Sequence, residues 1–161
     1  MTEQEDVKHT FVYIKDLAQE ALGEMRALIW QLRPLGLENG IVSALRSYAE
    51  MLGLSIDTEI TGAASIPGKV EEALWRIGQE ALANCKKHSQ TTDVTLMFHA
   101  TKDLVVMTIK DQGCGFHYGE NVEILSLGLK NIRTRTESLN GQFFIKSRPG
   151  SGTAIEVRIP F

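Results

Sequence analysis

In the second half of this chain, stretches that alternate apolar and polar residues come in adjacent pairs, and that pairing restricts the fold more than any other feature. Val94, Leu96, Phe98 and Ala100 alternate with Thr95, Met97 and His99, the period of a strand with one buried face. After a turn at residues 101–103, residues 104–110 read as a second strand, so the two form a hairpin. Residues 142–147 and 153–159 form another hairpin across Arg148-Pro149-Gly150-Ser151-Gly152. Residues 54–60 alternate in the same way. Strands joined directly, rather than each crossed by a helix, predict a mixed or antiparallel sheet with helices on one face. Three helices are expected to supply that layer. Residues 38–52 place Ile41, Leu45, Tyr48 and Leu52 on one side. A second, with Pro67 suited to its first turn, turns Val70, Leu74, Ile77, Ala81, Leu82 and Cys85 inward and ends near His88. The third covers residues 127–139, with Asn140-Gly141 as its left-handed stop. The expected fold is α+β, a two-layer α/β sandwich.

The N-terminal segment has a different period. Phe11, Ile14, Ala18, Ala21, Met25, Leu28 and Leu32 are spaced by alternating threes and fours, the seam of a heptad repeat. Leu17, Leu22 and Ile29 widen it toward a bundle face. Pro34 removes a backbone donor and is expected to end the helix. One helix cannot bury so broad a face alone. It needs either the chain's own globular part or a second copy, and the seam favours the second copy. The division expected is therefore residues 1–34 as an associating helix and 35–161 as the sandwich.

Bulk composition narrows the function classes. A net charge of −3 leaves no global basic field to recruit nucleic acid or anionic lipid. No apolar run approaches the roughly 18 residues of a membrane-spanning helix, and the polar N-terminus lacks the apolar stretch of a signal peptide. Cys85 and Cys114 have no partner at metal-ligand spacing, which fits a reducing, cytoplasmic setting.

Three segments carry the chemistry. Glu80 and Asn84 are four residues apart late in a helix, so both project from one face. An amide oxygen with a carboxylate behind it suits a hard cation that keeps most of its waters, as magnesium does on a nucleotide. Lys87 and His88 continue that polar face and can approach phosphate oxygens. Next, Asp111-Gln112-Gly113-Cys114-Gly115-Phe116 follows an apolar strand. Its two glycines let the backbone bend and a flat ligand come close, while the acid can accept a hydrogen bond from an amino group. Finally, Gly128 and Leu129 run into a helix whose free amides and dipole favour phosphate.

Together and in this order, the segments resemble the ATP-binding fold shared by sensor histidine kinases, 90 kDa heat-shock chaperones, type II topoisomerases and mismatch-repair ATPases. Glu80 to Asn84 is similar to the family's N box, Asp111-x-Gly113-x-Gly115 to its first glycine box and Gly128 to the opening of the second. Gly150-Ser151-Gly152-Thr153 closes the pattern. Residues 129–141 and the Ser-x-Pro-Gly hairpin after them resemble histidine kinases in particular. Leu32-Arg33-Pro34-Leu35-Gly36-Leu37 is similar to the link after the second dimerisation helix in nitrate-sensor and desaturase-sensor kinases.

The resemblance implies ATP and Mg2+ as cofactors, with Asn84 as metal ligand and Glu80 near the metal's waters or the attacking side. It implies Lys87 and His88 near the phosphates, Asp111 on the adenine amino group with Gly113 and Gly115 at the ring, Gly128 and the Leu129 amide at the phosphates, and Thr153 beside Asp111. Residues between Gly115 and Ser126 would form a lid, with Ser126 standing where a glycine is expected. The activity implied is a protein histidine kinase, with a response regulator as partner and a homodimer through the N-terminal helix. The domain would be cytoplasmic, within a parent for which the resemblance allows a membrane anchor. None of His9, His88, His99 and His117 lies in the family's acceptor stretch, so the phospho-accepting histidine is expected outside this sequence. Two alternatives share the nucleotide boxes: a protein-serine kinase of the anti-sigma type, and a non-catalytic ATP-gated interaction module.

Overall fold

The computed structural model describes residues 3–32, 40–117 and 127–161. The chain separates into two compact units, Met1–Glu38 and Asn39–Phe161.

The described residues of the first unit form one helix, α1 (Glu3–Leu32). It starts eight residues before the point at which the heptad spacing becomes legible. Val7 extends the seam by one step, and Val7, Phe11, Ile14, Met25 and Leu28 are all more than half exposed. Residues 33–37, including Pro34, lie outside the described residues. No helix of the described residues is long and apolar enough to cross a membrane.

The second unit begins with α2 (Ile41–Met51), then β1 (Ser55–Gly62), α3 (Gly68–His88), β2 (Asp93–Ala100) and β3 (Leu104–Asp111). It closes with α4 (Leu127–Glu137), β4 (Gln142–Ser147) and β5 (Thr153–Pro160). The strand order is β1-β2-β3-β5-β4. β1 and β2 are parallel, because the 21-residue α3 carries the chain back across the sheet between them. All other pairs are antiparallel, and both expected hairpins are present. The sheet is therefore mixed. At the first turn the Thr101 amide donates to the Leu104 carbonyl at 2.8 Å. At the second, Gly150 and Gly152 take φ of +78° and +74°.

The registers stack one face of the sheet across four strands. Leu96 pairs with Ile109, Ile109 with Ile155, and Ile155 with Ile145. Val94, Phe98, Met107, Val157 and Ile159 share this buried side, and α2, α3 and α4 cover it. The opposite side carries His99, Lys110, Glu156 and Arg158. Trp75, Leu45, Leu74, Ile77 and Leu82 are below 2% exposed and form the helical half of the core. Asn140 supplies the left-handed turn after α4, with φ +57°.

α3 packs tightly on α2 at Gly78, where a Cβ would overlap both terminal methyls of Leu45. Glycine in a helix interior costs roughly 1 kcal/mol against alanine, so its presence here reflects the packing. Gly78→Ala is expected to destabilise the unit by about 1–3 kcal/mol through overpacking. Combined with Leu45→Ala, the two losses should be less than additive in denaturant melts, whereas strict additivity would show that the two positions do not compete for space.

Candidate functional site

The site grows from the end of a central strand. β3 delivers Asp111 opposite Thr153 on β5 and Val94 on β2, and buries it to 4% exposure. Its Oδ1 accepts the Gly113 amide at 2.9 Å, and Cys85 Sγ on α3 lies 3.6 Å from its Oδ2. Burial, the Asp111 charge and the hydrogen bond to Asp111 together push the Cys85 thiol from 9.0 up to about 12.

The chain leaving β3 is held against the end of α3. The Cys114 amide donates to the Ser89 carbonyl at 2.7 Å, and the Cys114 thiol to the His88 carbonyl at 3.1 Å. A side chain at Gly113 would run into the Ser89 carbonyl, which is backbone and has nowhere to go. On its other side the same loop is tied to the β4–β5 hairpin. The Gly150 amide donates to the Cys114 carbonyl at 2.7 Å, and a Cβ on Gly115 (φ +60°) would overlap the Arg148 carbonyl. The Ser147 hydroxyl, 9% exposed, accepts the Phe116 amide at 2.9 Å, donates to the Gly152 carbonyl at 3.2 Å and lies 2.8 Å from Thr153 Oγ1.

These segments enclose a cavity of about 360 Å³. Asn84, Cys85 and His88 line it from α3, Ile109 and Asp111 from β3, and Thr153 and Ile155 from β5. Gly115, Phe116 and Leu129 complete the wall. It is mostly apolar with one buried carboxylate at its base, the character of a small-molecule site that fixes one polar edge of its ligand.

Of the residues singled out by sequence, Asn84, His88, Asp111, Gly115, Leu129 and Thr153 share this cavity. Gly113 lies behind it, shaping the turn that holds Asp111. Glu80 and Gly128 meet each other instead: a Cβ on Gly128 would overlap the Glu80 carboxylate, which therefore rests against the first turn of α4. Negative charge is favoured at such a helix start. Burial and then the Glu80 charge raise the Tyr48 phenol, which ties Glu80 electrostatically to α2. Lys87 stands exposed on the last turn of α3 and does not line the cavity. The expected lid lies mostly outside the described residues, since 118–126 are among those not described, Ser126 included.

Sequence reasoning missed three contributors. Cys85 is readable as an inward-facing core position, but its periodicity does not say that it meets Asp111. Ser147 reads only as a strand end, although pairing it with Thr153 across the hairpin would have placed it at the cavity floor. Ser89 follows a helix and carries no local signal at all.

The family model for histidine kinase-, DNA gyrase B-, and HSP90-like ATPases matches residues 69–161. The chain belongs to this family. Among curated family relatives, the sensor histidine kinase YhcY of Bacillus subtilis (strain 168) is 39% identical over 160 residues, 99% of this chain and 42% of that protein. The sensor protein VraS of Staphylococcus haemolyticus (strain JCSC1435) is 37% identical over 152 residues, 91% of this chain and 43% of that protein. The chain thus spans less than half the length of these relatives. The histidine kinase domain from the Erythrobacter litoralis EL346 blue-light activated histidine kinase shares the fold, with a TM-score of 0.59 at 17% identity, over 79% of this chain and 65% of that one.

The raised Cys85 and Tyr48 groups predict the alkaline behaviour of this family member. Both are acids held in their neutral form by the fold, so their stabilisation is complete below their unfolded values. It is lost as pH rises through the folded ones. Thermal stability should therefore fall from about pH 9 upward, the ordinary value of the thiol. In Cys85→Ala the fall should begin only near pH 10, the ordinary value of Tyr48. Melting curves between pH 8 and 11 check this, and an unchanged onset in the variant would contradict it.

Proposed function

We propose that this chain is the ATP-binding catalytic part of a sensor histidine kinase, transferring the γ-phosphoryl group of Mg-ATP to a histidine. The observation that carries the proposal is the buried Asp111 carboxylate at the base of a mostly apolar cavity. The family match and the names of the two sensor relatives support it.

In this reading the adenine enters between Ile109, Ile155 and Leu129, and its exocyclic amino group donates to Asp111. Thr153 completes the polar edge at the cavity base, and Gly115 leaves room for the ring. The phosphates run toward α4, where Gly128 and the Leu129 amide face them. His88 and the exposed Lys87 supply positive or donor groups on the same side. A magnesium ion fits the donors present. Among the described residues no three His, Cys, Asp or Glu side chains gather into a protein cage, but magnesium on a nucleotide needs only one or two protein oxygens. Asn84 supplies one, with Glu80 one turn behind. When bound, the ion would neutralise charge on the phosphates.

Transfer breaks the bond between the γ-phosphorus and the bridging oxygen, forms a phosphorus–nitrogen bond to the imidazole and leaves ADP. Little covalent work falls to the protein, so positioning and charge neutralisation dominate. A carboxylate at Glu80 can accept the proton the imidazole gives up. The exposed seam of α1 supports association with a second copy, half of each subunit's share in a four-helix bundle. The histidine would lie on the other helix of that bundle, and the phosphoryl group would pass on to a response-regulator aspartate. Because ATP and such regulators are cytoplasmic, this part would work there.

Mixing the chain with a bundle fragment bearing the acceptor histidine and γ-labelled ATP tests the proposal. Label is expected on the fragment, stable to alkali and lost in acid, and Asn84→Ala should reduce it by a factor of ten or more. Acid-stable label would point instead to a hydroxyl acceptor, and no label at all would contradict phosphoryl transfer.

A further inference from the structure

Cys85 is 6% exposed and stands in the wall of the cavity, one residue after Asn84. Its sulfur lies 3.6 Å from Asp111 Oδ2, within reach of a thiol donor. The other carboxylate oxygen, Oδ1, is held by the Gly113 amide at 2.9 Å. Each oxygen of Asp111 therefore has its own protein donor. The carboxylate cannot rotate about its terminal bond without breaking both contacts. An ionised carboxylate has about four lone-pair sites, so two remain for a ligand, and their directions follow from the two already used.

The thiol suits this task better than it suits reaction. A thiol has one S–H to donate, and at 3.6 Å from Oδ2 inside the cavity wall it is placed to give it to the carboxylate and is shielded from outside reagents. It is also small and apolar enough to lie against a ring.

We propose that Cys85 is a positioning residue of the base subsite, which by donating to Asp111 Oδ2 aims the carboxylate's remaining lone pairs at an exocyclic amino group and so selects an aminopurine. A purine with hydrogen at that position leaves the carboxylate's free lone pairs unmatched. One with a carbonyl there sets acceptor against acceptor, and a buried acceptor without a donor is costly. The fixed carboxylate is what makes the difference large, because a freely turning one could move away from the mismatch. The inference rests on the reading of this cavity as an adenine site.

The test compares the affinity of ATP with that of purine riboside triphosphate, which lacks the amino group, by calorimetry on the whole chain. Wild type is expected to prefer ATP by about tenfold or more, the scale of one lost hydrogen bond in a buried site. In Cys85→Ala the preference should shrink at least threefold, through weaker ATP binding, with the affinity for the analogue nearly unchanged. Cys85→Ser, which restores a donor, should recover most of the preference, and it carries the test alone if the alanine variant does not fold. A preference unchanged in Cys85→Ala, or both ligands weakened equally, would overturn the role and leave Cys85 as wall. A serine variant without wild-type-like preference would overturn it as well. A wild type with no preference for ATP would instead refute the adenine reading beneath it.

Discussion

A carboxylate buried at the end of a central strand costs several kcal/mol in lost hydration unless donors converge on it. Asp111 is such a group, and the surrounding chain is organised to hold it. The residues after it double back so that the Gly113 amide reaches one oxygen, while α3 brings the Cys85 thiol to the other. That return path and the hairpin beside it run so close to neighbouring backbone that side chains are excluded at three positions. At Gly113 the obstacle is the Ser89 carbonyl, at Gly115 the Arg148 carbonyl, and at Gly152 the Asp111 carbonyl itself. The glycines that look like a ligand-binding signature are thus required first by the protein's own packing, and the open cavity above them is a consequence.

The same crowding joins elements that are far apart in sequence. The end of α3, the loop after β3 and the β4–β5 hairpin are tied by three amide–carbonyl bonds or hydroxyl bridges through Ser89, Cys114 and Ser147. A ligand seated on Asp111 would therefore sense all three segments. On the far side of the cavity, Glu80 rests against Gly128, so the polar face of α3 meets the start of α4 where the proposed phosphates would lie. In the proposed reading, base and phosphates would lie toward opposite ends of this cleft, with Asn84 between Glu80 and Cys85 on α3.

How much of this was legible depended on whether the signal was local. The hairpins were, because alternation and turn residues lie within a dozen positions of each other, and both are present. The helices of the sandwich were legible for the same reason, down to the inward positions Val70, Leu74, Ile77 and Leu82. The parallel pairing of β1 with β2 was not, since nothing in either strand states its partner; it follows from α3 crossing between them. α1 extends back to Glu3, where no apolar period reveals it. At the site, motif order brought Asn84, Asp111, Gly115 and Thr153 into one place on paper. Cys85 and Ser147 act through atoms contributed from another element, and that contact exists only once the fold has formed.

The most direct test of the account is the melting temperature of the chain with and without Mg-ATP, measured for wild type, Asn84→Ala and Asp111→Ala. A ligand at about 100 times its Kd that binds only the folded state adds roughly 2.7 kcal/mol, which for a chain of this size is a rise of about 5–10 °C. The account predicts that rise in wild type and its loss in both variants. A wild type that does not respond to millimolar Mg-ATP, or an Asp111→Ala protein that responds as wild type does, would contradict it.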